Sequence, residues 1–235
     1  IEVPADAYFG ASTQRAVNNF PVSGLRFHPS FIYSLALIKQ CAAMVNHELG
    51  FLDKKVSEPI VTSAKEIMQG KLEDQFVVDV FQTGSGTSTN MNVNEVIASR
   101  ANEIVTGEKG GKFPVHPNDH VNLGQSSNDV IPSAIHISAL TLIKKSLIPS
   151  LVSLKRSLSD KAVEFKDVKK IGRTHLQDAV PIFLGQAFSG YERQIALAIK
   201  RIETAQNHLS ELALGGTAVG NGLNTHPDFA KKVIL

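Results

Sequence analysis

Apolar residues return at helical spacing along most of the chain. From Ser30 onward, Phe31, Leu35, Ile38, Ala42, Val45 and Leu49 recur every three or four positions and Gly50 follows as a stop, so the spacing predicts a helix. A shorter helix is predicted from Glu58 to Gln69, opened around Ser57 and Pro59 and closed by Gly70. Met91, Val93, Val96, Ile97 and Ile104 predict another, ending near Gly107. Past Asn128, the residues Ile137, Leu140, Leu147, Leu151, Leu154 and Leu158 form a heptad stripe that predicts one long helix running through, or kinked at, Pro149. A second heptad stripe follows in Ile195, Ala198, Ile202, Ala205, Leu209 and Leu212. Two long antiparallel helices cannot bury such stripes against each other alone, which points to an oligomeric helical bundle.

The remaining stretches are less regular. Residues 1–28 carry Pro4, Gly10, Pro21 and Gly24 and predict an extended arm with turns, within which Gly10 to Arg15 can cap a short helix. Arg15 there is either an anion ligand or a solvated side chain, the second being the commoner use of an arginine. Phe76 to Phe81 fits a strand or a helical turn, and periodicity does not decide so short a run. Gly110 to Gly124, Gly172 to Pro181 and Gly215 to Gly220 are polar loops. The expected architecture is mainly α: a small mixed N-terminal domain over residues 1–123, then residues 124–235 as the first part of a central helical bundle. Ile1 stands where an initiator Met is expected and Lys231 to Leu235 looks like mid-helix, so both ends read as cut from a longer chain, and no targeting signal can be read.

Composition narrows the function. A net charge of +2 leaves no basic field for nucleic acid, and 6% aromatic residues supply few stacking platforms. The single cysteine, Cys41, falls in an apolar helical pattern, is read as buried and inert, and makes a reducing compartment the simpler assumption. Lys39, Lys144, Lys155 and Lys200 interrupt the best apolar runs, so no uninterrupted stretch reaches the roughly 20 residues of a membrane span.

Candidate chemistry gathers in three loops. Gly84-Ser85-Gly86-Thr87-Ser88-Thr89-Asn90, Gln125-Ser126-Ser127-Asn128-Asp129 and Arg173-Thr174-His175-Leu176-Gln177-Asp178 are each rich in hydroxyls or amides and each adjoins a helix. In the second, Ser126 or Ser127 reads as an N-cap and Asp129 as a first-turn carboxylate; the stretch is either a cap alone or an anion site at a helix start. The first lacks the Lys of a nucleotide-phosphate loop, so a carboxylate fits better than a phosphate. Brought together, the loops would form a cavity of neutral donors suited to a small dicarboxylate whose charge grows during reaction. His175 is the one side chain among them that titrates near neutrality, hence the general acid/base candidate, with a structural role as the alternative. His116-Pro117-Asn118-Asp119-His120 offers a metal site, an anion site or turn chemistry; two His four apart without Cys are a weak metal signal, and no metal is expected.

Taken in order, Gly84-Ser85-Gly86-Thr87, Val115-His116-Pro117-Asn118-Asp119, Gln125-Ser126-Ser127-Asn128-Asp129, Gly172-Arg173-Thr174-His175-Leu176-Gln177-Asp178-Ala179 and Gly215-Gly216-Thr217-Ala218-Val219-Gly220 resemble class II fumarases of the fumarase/aspartase superfamily, from first residue to last. Aspartate ammonia-lyases usually carry Gly-Ala-Gly-Thr, Ser-Thr-Asn-Asp and Thr-Gln at three of these places.

The resemblance implies reversible hydration of fumarate to malate without a cofactor, in a homotetramer whose active sites are each built by three subunits. It implies that Ser85, Thr87, Ser126, Ser127 and Asn128 hold substrate carboxylates, with Thr174 and His175 arriving from another subunit. His116, Asn118 and Asp119 match a secondary dicarboxylate site, although Phe113 and Leu123 stand where relatives carry basic residues. The family's base is a serine in a mobile Gly-Ser-Ser-x-Met-Pro-x-Lys-x-Asn loop. No such segment occurs here, so the 235-residue chain by itself is expected to be inactive. A cytoplasmic setting is expected, mitochondria being the family's other compartment. Two rivals stand beside this reading: aspartate ammonia-lyase on the same scaffold, against which His175 counts, and a non-catalytic helical module, against which Ser85, Thr87, Asn128 and His175 count.

Overall fold

The computed structural model describes residues 1–235. The chain folds as two packing units, one of residues 1–138 with 212–235 and one of residues 139–211. The start of the long helix, placed beyond a boundary near Leu123 by sequence, packs with the first unit.

In the first unit α1 (Ala11–Asn19), α2 (Pro29–Glu48), α3 (Lys54–Met68) and α4 (Thr87–Thr106) precede the start of α5 (Ser127–Leu142), and α8 (Phe229–Ile234) returns to pack on α2. Most of the predicted faces of α2 and α4 are buried, with Ile104 exposed: Leu35 and Ala42 of α2 and Val93 and Ile97 of α4 are fully buried in one core with Ile60 and Ile67 of α3. α2 begins where Pro29 fixes a helical φ and the His28 ring accepts the Ser30 N–H at 3.2 Å.

Two expectations change here. α3 starts at Lys54 behind Asp53 rather than near Glu58, because a Lys54–Glu58 pair (3.4 Å) and the Val56 contact with the core support another turn, leaving Pro59 buried inside the helix. Phe76 to Phe81 forms neither strand nor helix. It is an irregular segment held by Asp79, whose carboxylate accepts the N–H groups of Ser23, Gly24 and Phe81 at 2.7, 2.7 and 2.8 Å. Those three backbone bonds hold Asp79 down at about 2.

The second unit contains α6 (Ile148–Glu164) and α7 (Leu184–Leu209), joined by a hairpin of β1 (Lys169–Thr174) and β2 (Gln177–Phe183). Pairing of Phe165 with Phe188 (5.4 Å between rings) and of Lys155 with Glu192 (3.5 Å) makes the two helices antiparallel. The hairpin replaces the expected polar loop. Its two-residue turn places His175 and Leu176 at φ 46° and 62°, the left-handed pair a tight hairpin needs, supplied without the Asn-Gly that announces such a turn in a sequence. Helix is continuous from Ser127 to Glu164, widened over Ile143–Leu147 just ahead of Pro149, so the proline is absorbed without a break. By length and composition alone this helix is long and apolar enough to cross a membrane, a property that interruption by single lysines does not remove.

Candidate functional site

Two of the three polar loops meet. Ser126 caps α5: its hydroxyl accepts the Asn128 N–H at 3.2 Å, while Asp129 reaches back to the Ser126 N–H at 2.9 Å, a reciprocal capping box. The cap therefore exists, and the Ser127 hydroxyl and Asn128 side-chain amide take no part in it. Ser127 Oγ lies 3.0 Å from Thr87 Oγ1, which lies 2.9 Å from Ser85 Oγ, so one line of hydroxyls joins the starts of α4 and α5. Ser85, Thr87 and Asn128 are exposed, and Ser126 and Ser127 half-buried.

This close approach depends on Gly86. Its φ is +70°, and a Cβ there would stand 2.9 Å from Ile131 of α5. Any larger residue would take a strained backbone and displace the Ile131 side chain.

Asp129 does more than cap. Its side chain is buried, and its second oxygen accepts the N–H groups of Gly215 and Thr217 at 3.1 and 2.8 Å, which brings the Gly215–Gly220 loop against the start of α5. Asn128 closes the contact by donating to the Ala218 carbonyl at 2.9 Å.

Beneath the same turn lies a residue that sequence reasoning used only as a charge interrupting an apolar run. Lys39 of α2 is fully buried and donates to Asn122 Oδ1 at 2.8 Å and Gln125 Oε1 at 2.9 Å. Burial pulls its ammonium down to about 7, with Asp129 acting in the opposite direction. A signal was present: position 39 lies on the face of Leu35 and Ala42, where a lysine is out of place.

Thr174 and His175 lie in the second unit, exposed at the hairpin tip. A left-handed φ at His175 costs about 1 kcal/mol, the type of backbone strain that collects at functional positions. His116, Asn118 and Asp119 come together in one turn of Pro117–Val121: His116 Nδ1 accepts the N–H groups of Asn118 and Asp119 at 3.3 and 3.1 Å, with the Asp119 carboxylate 3.2 Å away. With Nδ1 turned toward this backbone turn and the Asp119 carboxylate, Nε2 is the ring nitrogen on the other side. His120, bonded to the His116 N–H at 2.9 Å, is held below the ordinary histidine value by burial. No cluster of three His, Cys, Asp or Glu side chains forms a metal centre. Cys41 is half-buried, and burial raises its thiol. Arg15 is exposed, and the N–H groups at the start of α1 are taken instead by Glu95, which accepts from Gly10, Ser12 and Thr13 at 2.9, 3.0 and 3.0 Å.

A family model described as lyase matches residues 1–235. The chain is 55% identical over 233 residues to a class II fumarate hydratase of Nitrosomonas europaea, covering 99% of this chain and 50% of that one. It is 56% identical over 229 residues to a class II fumarate hydratase of Halobacterium salinarum, covering 97% and 48%. Among solved structures, a recombinant class II fumarase from Schistosoma mansoni superposes with a TM-score of 0.95 at 45% identity, covering 99% of this chain and 49% of that one. The chain thus spans about half the length of the curated relatives it matches.

Proposed function

Because the chain belongs to the lyase family, we propose that its joined helix starts form the dicarboxylate-holding part of a fumarate hydratase site. The observation that carries this is the line Ser85–Thr87–Ser127 beside Asn128: neutral donors, fixed by the α5 cap and Gly86, at the positive end of a helix. Removal of the proton beside a malate carboxylate creates a doubly charged aci-carboxylate, and donors already in place stabilise that charge without reorganising. Hydroxide leaves from the neighbouring carbon, takes up a proton and departs as water, giving fumarate; hydration runs the same steps backward.

Thr174 and His175 are assigned to that departing hydroxyl, delivered from another subunit by the hairpin. Assembly as a homotetramer follows from the same reading and would cover the exposed apolar residues Val152, Leu154 and Leu197. His116, Asn118 and Asp119 are assigned a secondary dicarboxylate site. The proposal assigns no metal or cofactor, no nucleic acid and no membrane as partner, and a cytoplasmic setting.

Loss of fumarate absorbance, followed with the full-length gene product, tests it. Consumption without ammonium is expected, and His175→Gln should reduce it by about 10²-fold or more, the scale of a lost general acid. Consumption only with ammonium would point to aspartate chemistry, and none at all to a non-catalytic module.

A further inference from the structure

Lys39 is a costly residue to keep. A lysine ammonium inside an apolar helix face carries a desolvation penalty that Met or Leu at the same place would avoid. What it does is visible in its hydrogen bonds. Both of its acceptors are amide oxygens, so both amide nitrogens are turned the other way, onto the backbone. Asn122 Nδ2 donates to the Gln125 carbonyl at 3.2 Å, and Gln125 Nε2 donates to the Val121 and Leu123 carbonyls at 3.1 and 3.2 Å. These bonds fix the turn that ends at the Ser126 cap. Asn122 Oδ1 also accepts from Asn90 Nδ2 at 3.1 Å, and Asn90 lies on α4, one turn beyond Thr87. One ammonium thereby ties the starts of α4 and α5 to each other.

From this geometry we infer that Lys39 is the positioning residue of the dicarboxylate site: it acts through Asn122, Gln125 and Asn90 to set the spacing of Thr87 from Ser127 and Asn128. The inference rests on the dicarboxylate reading above and adds to it a residue that need not touch substrate. Donors aimed at the charge that grows on the aci-carboxylate act more strongly in the transition state than on the substrate, so displacing them lowers kcat more than it raises KM.

The test is steady-state kinetics of the full-length gene product with fumarate, comparing wild type, Lys39→Met, Gln125→Met and the core variant Ile60→Val, each with a thermal melt. Lys39→Met and Gln125→Met should lower kcat about tenfold while KM stays within about twofold, the loss of roughly one good hydrogen bond to the transition state. Ile60→Val should lower the melting temperature without moving kcat, because Ile60 lies in the α3 core. If Lys39→Met does not fold, Gln125→Met decides, since it breaks the same chain of bonds while leaving the lysine in place. Folded variants with wild-type kcat, or a kcat change matched by Ile60→Val, would overturn the inference alone. A wild-type protein that neither consumes fumarate nor is stabilised by succinate would overturn the dicarboxylate reading and this inference together.

Discussion

The two packing units follow similar apolar patterns to opposite outcomes. In the first, the stripes of α2, α3 and α4 are buried against one another, and even polar side chains such as Lys39, Asn92 and Asp129 are taken inside with partners. In the second, no residue of α6 is buried and only Gly185 of α7 is, so stripes as regular as any in the chain stay half-buried or exposed. Periodicity therefore specifies a helix face but not what covers it. Three or four helices close a core; two do not. The contrast extends to the candidate residues: Ser85, Thr87, Ser127 and Asn128 lie on the unit with a core, while Thr174 and His175 are carried on the unit whose faces are open.

Four perturbations bear on this difference between the units. The largest effect is expected from Asp129→Ala, which strips three backbone N–H groups of their acceptor and removes the charge opposing that of Lys39; about 3–5 kcal/mol should be lost in urea unfolding. Ile97→Ala, which opens a cavity in the closed core, should cost about 2–4 kcal/mol in the same measurement. A loss below about 1 kcal/mol would mean that the core is not the rigid element described.

The third concerns pH. Folded Lys39 releases its proton near 7, against 10.5 for a free lysine, so between those values the unfolded chain holds a proton that the folded chain has lost. The penalty of burying the ammonium is then complete below about pH 7 and is relieved as pH rises toward 10.5. Urea midpoints of wild type and Lys39→Met at pH 6 and 9 should move in wild type's favour at the higher pH; parallel shifts would show that Lys39 is not buried as a charge. The smallest change is expected from Leu154→Ala, which lies on an open stripe and should cost less than about 1 kcal/mol within its own unit. Its effect should appear in subunit association, measured by sedimentation, where an unchanged assembly would leave the open stripe without a role.

Elements whose cause is local were legible in the sequence. Phe31 to Gly50 and Met91 to Gly107 announced α2 and α4 by spacing and stop residues, and Ser126 with Asp129 announced the α5 cap. Elements fixed at long range were not. The hairpin around His175 has no alternating pattern and no Asn-Gly turn, Phe76 to Phe81 is shaped by Asp79 reaching Ser23 and Gly24, and α1 begins where Glu95 supplies its acceptor. In the site, Ser85, Thr87, Ser127 and Asn128 were identifiable by type and by family resemblance. Lys39, Asn122 and Asn90 were not, because a buried amide has no periodicity and a lysine in an apolar stripe reads first as an interruption.

The proposed dicarboxylate site lies at the starts of α4 and α5. Calorimetric titration of succinate into the full-length wild type and Asn128→Asp tests it most directly, since the substitution preserves side-chain shape and sets a negative charge where the ligand's own would lie. Saturable binding to wild type with at least about a hundredfold weakening in Asn128→Asp is the predicted result, a penalty of about 3 kcal/mol for an unpaired like charge. Equal affinities in the two proteins would contradict it.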